Sequence, residues 1–343
     1  MLLSDFDYDL PQELIAQTPL EKRELSKMMV LNRRTGEVIH SRFQKFANFL
    51  NKGDVLVLNN SKVIPARVWG RKGGREIEFL FLKRFENETW EVLCRPAKKV
   101  KCGDVISFSQ RLEGIVIEAG PEGKRVLRFP SGDVLSELKK IGYAPLPPYI
   151  KRKKIQSDLK PLDLERYQTV FAETEGSIAA PTAGLHFTSR FLEQIRTKGV
   201  EISLITLDVG LATFQPVRIK RIEYHKMLEE TYFISQASCR NICKAKKESR
   251  PIVAVGTTSV RTLESAFKNG KIHSGTHSTN LFIYPGFEFN VVDRLLTNFH
   301  LPKSTLLMLT SAFAGVDLIK RAYKEAVEHK YRFFSYGDCM LII

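Results

Sequence analysis

The chain lacks any apolar run near the ~18 consecutive residues that a transmembrane helix needs, so no membrane span is expected. Its first residues, Met1-Leu2-Leu3-Ser4-Asp5-Phe6-Asp7, have neither a basic stretch nor an apolar core, and a secretory signal is not expected. Cysteine is scarce. Cys94, Cys102, Cys239, Cys243 and Cys339 form an odd, scattered set. That argues for reduced thiols and a cytoplasmic setting. Cys239 and Cys243 have no histidine close in sequence, so thiols on a helix are expected rather than zinc ligands. No metal site is expected. A P-loop, a G-x-G-x-x-G fingerprint and a G-x-S-x-G elbow are all absent. Nucleoside triphosphatases, dehydrogenases and esterases therefore lose ground. No sustained heptad seam is present, and a monomer is expected.

Acidic residues are also in short supply. Asp plus Glu is 38 against 53 for Lys plus Arg, a formal net charge of +15. A surplus of that size attracts polyanions. No basic amphipathic helix with a coherent apolar face is present, which counts against a membrane surface. Basic residues cluster at Arg71, Lys72 and Arg75, at Arg95, Lys98, Lys99 and Lys101, and at Lys151 to Lys154. Such clusters suit a phosphate backbone, although single charge runs are usually solvated surface.

With 343 residues, two domains is the default at roughly 100–200 residues each. Pro11 to Gln17 suggests a helix. Asp54 to Leu58 is a short, mostly apolar run bounded by Gly53 and Asn59, the pattern of a buried strand. From about 62 to 145 the texture changes to short strand signals without a convincing helix. Ile77, Phe79 and Phe81 alternate, and Ala119-Gly120-Pro121-Glu122-Gly123 reads as a turn. Pro145, Pro147 and Pro148 then read as a linker or loop. Beyond 160, strands and helices alternate: helices at 189–198, 257–268, 304–313 and 316–329, and strands at 200–207, 252–255, 281–284 and 339–343. The fold expected is α/β, a layered domain with an inserted small antiparallel β-barrel. The α/β catalytic domain comprises 1–61 plus 149–343, and the barrel 62–148.

Four stretches carry possible chemistry. Gly256-Thr257-Thr258-Ser259-Val260-Arg261 lies between a buried strand and a helix. Backbone N–H groups at such a helix start can hold an anion, with Arg261 one turn in; plain N-capping by Thr or Ser is the competing account. Ala179 to Thr188 is a run of small residues around His186, able to let a ligand approach the backbone. There His186 serves either as a general base or as a packed group. Thr297-Asn298-Phe299-His300-Leu301-Pro302-Lys303-Ser304 has the composition of a binding loop, or of a structural helix entry. Arg332 to Asp338 combines Arg with aromatics that stack on a base or simply pack.

Taken in order, these stretches resemble the S-adenosylmethionine:tRNA ribosyltransferase-isomerases of queuosine biosynthesis. The likeness runs from Asp5 to Pro11 and Leu14 to Gln17 through Gly53 to Asn60 and Arg95 to Lys98. It is strongest in Arg166 to Thr169 with Ala180 to Phe187, in Ala254 to Arg261, in Phe282 to Gly286, in Thr297 to Ser304 with Ser311 to Gly315, and in Tyr331 to Asp338. Four positions depart from the pattern: Asp208 and Leu228 stand where His is usual, Ala212 replaces a common Gly, and Lys27 a common Arg. The resemblance implies transfer and isomerisation of the ribosyl unit of S-adenosylmethionine, a co-substrate with no permanently bound cofactor. The acceptor is 7-aminomethyl-7-deazaguanine at the wobble position of a tRNA with a GUN anticodon, and the products are epoxyqueuosine-tRNA, adenine and methionine. It places the general base among His186 and His300, with Asp338 and Tyr336 in acid or adenine roles. Thr182, Gly184, Gly256, Thr257, Thr258, Arg261 and Asn298 would hold S-adenosylmethionine, and Arg95, Lys98, Phe187 and Lys303 the RNA. A tRNA methyltransferase and a non-enzymatic RNA-binding protein are the alternatives; the missing Gly-rich nucleotide turn weighs against the first.

Overall fold

The computed structural model describes residues 1–152, 157–210 and 217–343; Lys153, Lys154 and Ala212 lie outside the described residues. Among the described residues, one sheet has the strand order Gly275–Thr279, Glu230–Ile234, Glu201–Leu207, Val55–Asn59, Ile252–Val255, Arg294–Asn298, Cys339–Ile342, Lys27–Leu31, Val38–Arg42. The stretch from Glu201–Leu207 to Arg294–Asn298 is parallel throughout. Along Val55–Asn59, Val55 and Val57 enter one apolar cluster and Leu56 and Leu58 the other. Burial on both faces is why this strand reads as an unbroken apolar run. Helices Thr257–Ala266, Thr305–Ala314 and Val316–Glu328 supply Val260, Leu263, Met308 and Tyr323 to the first cluster. Helix Ser189–Thr197 supplies Phe191 and Ile195 to the second. This is the layered α/β arrangement that the strand–helix alternation predicts.

Strand direction gathers the chain's polar loops at one end. The parallel strands end at Leu207, Asn59, Val255 and Asn298. Cys339–Ile342 runs antiparallel to Arg294–Asn298, with Asn298 opposite Cys339, so the residues before Cys339 arrive at that same end. Lys27–Leu31 is parallel to Cys339–Ile342 and starts there too. Glu230–Ile234 is antiparallel to Glu201–Leu207 and begins there as well.

Six antiparallel strands close a barrel in the order Lys124–Arg128, Thr89–Arg95, Arg75–Arg84, Arg67–Lys72, Val105–Ser109, Leu112–Ala119. The alternating Ile77, Phe79 and Phe81 point into its core with Trp90, Val92, Ile106 and Leu127. At Gly70 an added Cβ would lie 2.6 Å from Ile106 Cγ2, so the packed interior admits no side chain there.

Three local expectations are corrected. Val134–Ile141 is a helix, capped by the Asp133 carboxylate accepting from Ser136 N–H at 3.2 Å. Val134 and Leu138 anchor it on the barrel core. Pro11 to Gln17 forms only a 3-10 turn at Gln12–Leu14. Leu281 to Tyr284 is not a strand, because Thr279 Oγ1 accepts from Leu281 N–H and Arg261 takes the Leu281 carbonyl. Cys239 and Cys243 lie on helix Gln236–Lys247, and all five cysteines are unpaired. Among the described residues, no helix is long and apolar enough to cross a membrane.

Asn59 ties the site end together. Its Nδ2 donates to Leu207 O, and its Oδ1 accepts from Leu207 and Ser61 N–H, all at 3.1 Å. Asn59→Leu leaves those buried amides without partners, at a cost of about 2–4 kcal/mol. Urea denaturation should show the midpoint falling accordingly; an unmoved midpoint would contradict this role.

Candidate active site

A pocket opens at the carboxyl ends of Ile252–Val255 and Arg294–Asn298, where open parallel sheets bind ligands. Thr182, Gly256, Thr257, Thr258, Arg261, Asn298 and His300, from three separate predicted stretches, line it together. Tyr149, Tyr167, Phe334 and Ser335 add an aromatic and hydroxyl wall. Sequence reasoning missed Tyr149, because the Pro-rich segment before it reads as linker, and gave Tyr167 no site role although its stretch, Arg166 to Thr169, carries the resemblance. Tyr149 OH and Ser335 Oγ are 2.7 Å apart, and the Tyr149 and Phe334 rings are 4.7 Å apart.

Gly256 begins helix Thr257–Ala266 at φ +85°, with no side-chain cap, which removes the N-capping account of this segment. One turn in, Arg261 is 6% exposed. Its Nη1 pairs with Glu230 Oε2, and its Nε donates to Leu281 O at 3.1 Å. Arg261 Nη2 and Thr258 Oγ1 are buried without protein partners among the described residues. Buried donors are nearly always satisfied, and these two belong to residues that line the pocket.

Asn298 is the organising amide. Its Oδ1 accepts from Thr182 Oγ1 at 2.8 Å, and its Nδ2 lies 3.3 Å from both His186 Nε2 and Phe334 O. His186 therefore sits behind Asn298, with Ser26 Oγ 2.8 Å from its Nδ1. His300 lines the pocket itself, its Nε2 2.8 Å from Thr297 Oγ1 and its backbone N–H donating to Tyr323 OH. Burial pushes the pKa of each imidazole down to about 3, with Arg23 and Arg332 adding to the effect at His186.

The remaining expected site residues lie elsewhere. Asp338 is 1% exposed, and its two oxygens accept from Lys27 and Arg332 N–H at 2.8 Å. Burial raises its pKa against those hydrogen bonds. Tyr336 OH donates to Asp163 Oδ1 at 3.3 Å, and Asp163 is clamped by Arg152. Phe187 is fully buried, its ring 4.9 Å from Phe43. At Gly184 an added Cβ would lie 2.7 Å from Phe171 Cζ, a packing demand. Lys303 pairs with Asp7 at 2.6 Å. Arg95 and Lys98 are exposed on the barrel. Arg125 holds the turn that carries Lys98, donating to Ala97 O at 2.7 Å and Val100 O at 2.8 Å.

A second cleft, of about 580 Å³, lies between the barrel and the sheet and is lined by both Asp208 and Leu228. Val209 is common to the two pockets. Burial, and then Glu230, push the Asp208 carboxyl up to about 6. Lys27 donates its Nζ to His329 O at 2.8 Å. A further basic cleft, lined by Arg33, Arg34, Lys246, Arg250 and Arg294, opens at the opposite end of the sheet and holds none of the expected residues.

The architecture and site define an α/β protein with a ligand pocket at the carboxyl ends of parallel strands and a cationic barrel beside it. The family model described as "Queuosine biosynthesis protein" matches residues 3–342, and the chain belongs to that family. Relatives named S-adenosylmethionine:tRNA ribosyltransferase-isomerase from Acetivibrio thermocellus and Clostridioides difficile are 50% and 48% identical, with both chains covered in full. The crystal structure of the S-adenosylmethionine tRNA ribosyltransferase of Thermotoga maritima matches with a TM-score of 0.57 at 39% identity, covering 99% of this chain and 100% of that one.

The two buried imidazoles predict an acid-sensitive fold. An unfolded histidine titrates near ~6.5, so below that pH the unfolded chain binds protons that the native protein refuses. Stability therefore falls with pH from about 6.5 towards 3, by about 1.4 kcal/mol per pH unit for each histidine. Denaturation midpoints should drop between pH 6 and 4, and His300→Gln should flatten that slope. Equal slopes in the two proteins would contradict a neutral His300.

Proposed function

We propose that this protein is an S-adenosylmethionine:tRNA ribosyltransferase-isomerase, moving the ribosyl unit of S-adenosylmethionine onto 7-aminomethyl-7-deazaguanine at the wobble position of GUN-anticodon tRNA. The products are epoxyqueuosine-tRNA, adenine and methionine. Full-length identity near 50% with relatives of that name supports the activity. The observation that carries the site is a pair of buried donors without partners among the described residues, Arg261 Nη2 and Thr258 Oγ1, on residues that line a partly aromatic pocket.

In this reading the methionine carboxylate lies against the Gly256–Thr258 backbone and takes its charge-assisted hydrogen bonds from Arg261 and Thr258. The adenine lies along Tyr149, Tyr167 and Phe334. The sulfonium acidifies the adjacent ribose 5′ C–H, and His300 is the imidazole placed to accept that proton. Burial keeps it neutral throughout the physiological range, at the cost of basicity. His186 and Thr182 act through Asn298, whose amide they orient. Asp338 and Tyr336 fasten the loop that brings Phe334 and Ser335 to the pocket.

The RNA lies across the barrel, held by Arg95 and Lys98, with Lys303 at the rim. The same reading divides the chain into an RNA-gripping barrel at 62–148 and a chemical domain at 1–61 plus 149–343. It has the protein acting as a cytoplasmic monomer without a metal.

Chromatography of a mixture with S-adenosylmethionine and an aminomethyl-deazaguanine stem-loop should yield adenine and methionine together; S-adenosylhomocysteine would overturn the reading. Arg261→Lys keeps a cation beside Glu230 but loses Nη2. It should raise the KM for S-adenosylmethionine about tenfold, a charge-assisted bond of roughly 1.4 kcal/mol; an unchanged KM would remove Arg261 from the carboxylate site. RNA affinity should fall steeply with salt, and replacing Arg95 and Lys98 with Ala should reduce the log–log slope by about 2. A salt-independent affinity would exclude the backbone track.

A further inference from the structure

Asp208 and Leu228, which depart from their family's usual histidines, are far apart in sequence yet line the same cleft. The two walls of that cleft differ in charge. Lys83, Arg84 and Lys124 stand on the barrel side, and Asp208, Glu229 and Glu230 on the sheet side. The neighbouring acids already have partners. Glu230 pairs with Arg261, and Glu229 accepts from the Ser278 hydroxyl. Glu175 pairs with Lys139 at 2.8 Å and Lys62 at 3.4 Å, and Glu91 with Lys124 at 3.3 Å. Arg84 pairs with Glu88. Among the described residues, Asp208 Oδ1 is buried and has none.

A second observation points to a ligand in the same place. Trp90, on the barrel wall of the cleft, is 3% exposed, and its indole Nε1 likewise has no partner among the described residues. The Asp208 backbone is fixed, its N–H donating to Thr231 O at 3.0 Å and the next N–H to Ser177 Oγ at 3.1 Å. An added Cβ at Gly176 would come within 3.2 Å of Asp208 Oδ1, so glycine leaves space beside the carboxylate. The cleft adjoins the pocket of Gly256 and Arg261: Val209 lines both, and the Arg261–Glu230 pair puts one partner in each lining.

We propose that this cleft seats the RNA nucleotide to be modified, with Asp208 reading its aminomethyl ammonium by ion pairing and the barrel cations taking the adjacent phosphates. The proposal rests on the function given above, since that amine is the acceptor of the transferred group. A carboxylate oxygen and a buried indole N–H, each without a partner among the described residues, are the complementary halves that a cationic base would satisfy, the ammonium donating to the first and a base oxygen accepting from the second. Leu228 is neither donor nor acceptor and leaves Asp208 uncontested on its side. Below about pH 6 Asp208 takes up a proton and its attraction for the ammonium is lost; a primary amine stays charged throughout that range. The other ionisable groups lining the cleft are Lys83, Arg84, Glu91, Lys124, Glu175, Glu229 and Glu230.

The test is a comparison of two stem-loops that differ only at the wobble base, guanine or 7-aminomethyl-7-deazaguanine, by fluorescence anisotropy. The natural protein should prefer the modified loop by about tenfold at pH 7.5, the worth of one charged hydrogen bond, and lose that preference at pH 5. Asp208→Asn should bind both loops equally, near the natural protein's affinity for guanine. Asp208→Glu, which keeps the charge, should keep part of the preference and guards against a folding defect. An unchanged preference in Asp208→Asn, or no preference in the natural protein, overturns the proposal. Product analysis separates the two readings. Adenine and methionine formed without an Asp208-dependent preference would sink Asp208 alone; a preference without those products would sink the reaction.

Discussion

Arg261 and Glu230 meet with side chains 8% and 3% exposed, a depth at which neither charge is tolerated alone. Their pairing binds helix Thr257–Ala266 to the start of strand Glu230–Ile234. Each partner then uses its remaining atoms to shape a loop. Glu230 Oε1 holds Gly210 N–H at 3.0 Å, and Arg261 Nε holds Leu281 O at 3.1 Å. Of what is left over, Arg261, whose Nη2 has no partner among the described residues, lines one pocket, while burial and then the Glu230 charge raise the pKa of Asp208 in the other. The two pockets thus flank one buried ion pair, whose loss would strand a buried charge.

Around that pair, charge is sorted by depth. The imidazoles of His186 and His300 are buried and neutral, and Asn298 connects His186 to the pocket through hydrogen bonds that carry no net charge. In the proposed reading a sulfonium sits in these neutral surroundings, and its attraction to the site comes from the carboxylate end of the same molecule. The surplus of cations stands further out, on the barrel and along the cleft, where a polyanion would meet it first. Strand direction makes this sorting possible, because it brings loops from both ends of the sequence to one edge of the sheet.

Much of the fold is legible in the sequence, for identifiable reasons. Val55 to Leu58 reads as a buried strand because both its faces are covered. Ile77, Phe79 and Phe81 announce a half-buried barrel strand by alternation. Helix Val134–Ile141 stays hidden because, at 8 residues, it is too short for its apolar positions Val134, Leu135, Leu138 and Ile141 to set up a sustained helical period. In the site, the segments around Thr182, Gly256 and Asn298 stand out by their small or polar residues beside core elements, and the structure brings them together. Which member of a stretch faces a ligand is a different matter. Phe334 and Ser335 face the pocket while Tyr336 and Asp338 turn away, a choice set by tertiary hydrogen bonds to Asp163, Lys27 and Arg332. Tyr149 left no signal, since its neighbourhood is written in prolines.

In the proposed reading one active centre spans both pockets, joined at Arg261 and Glu230. A crystal structure with S-adenosylmethionine and an aminomethyl-deazaguanine stem-loop tests it most directly. The account predicts the methionine carboxylate within hydrogen-bond reach of Arg261 Nη2 and the base amine at Asp208. S-adenosylmethionine bound away from Gly256 and Arg261, or the modified base seated outside the Asp208 cleft, would contradict it.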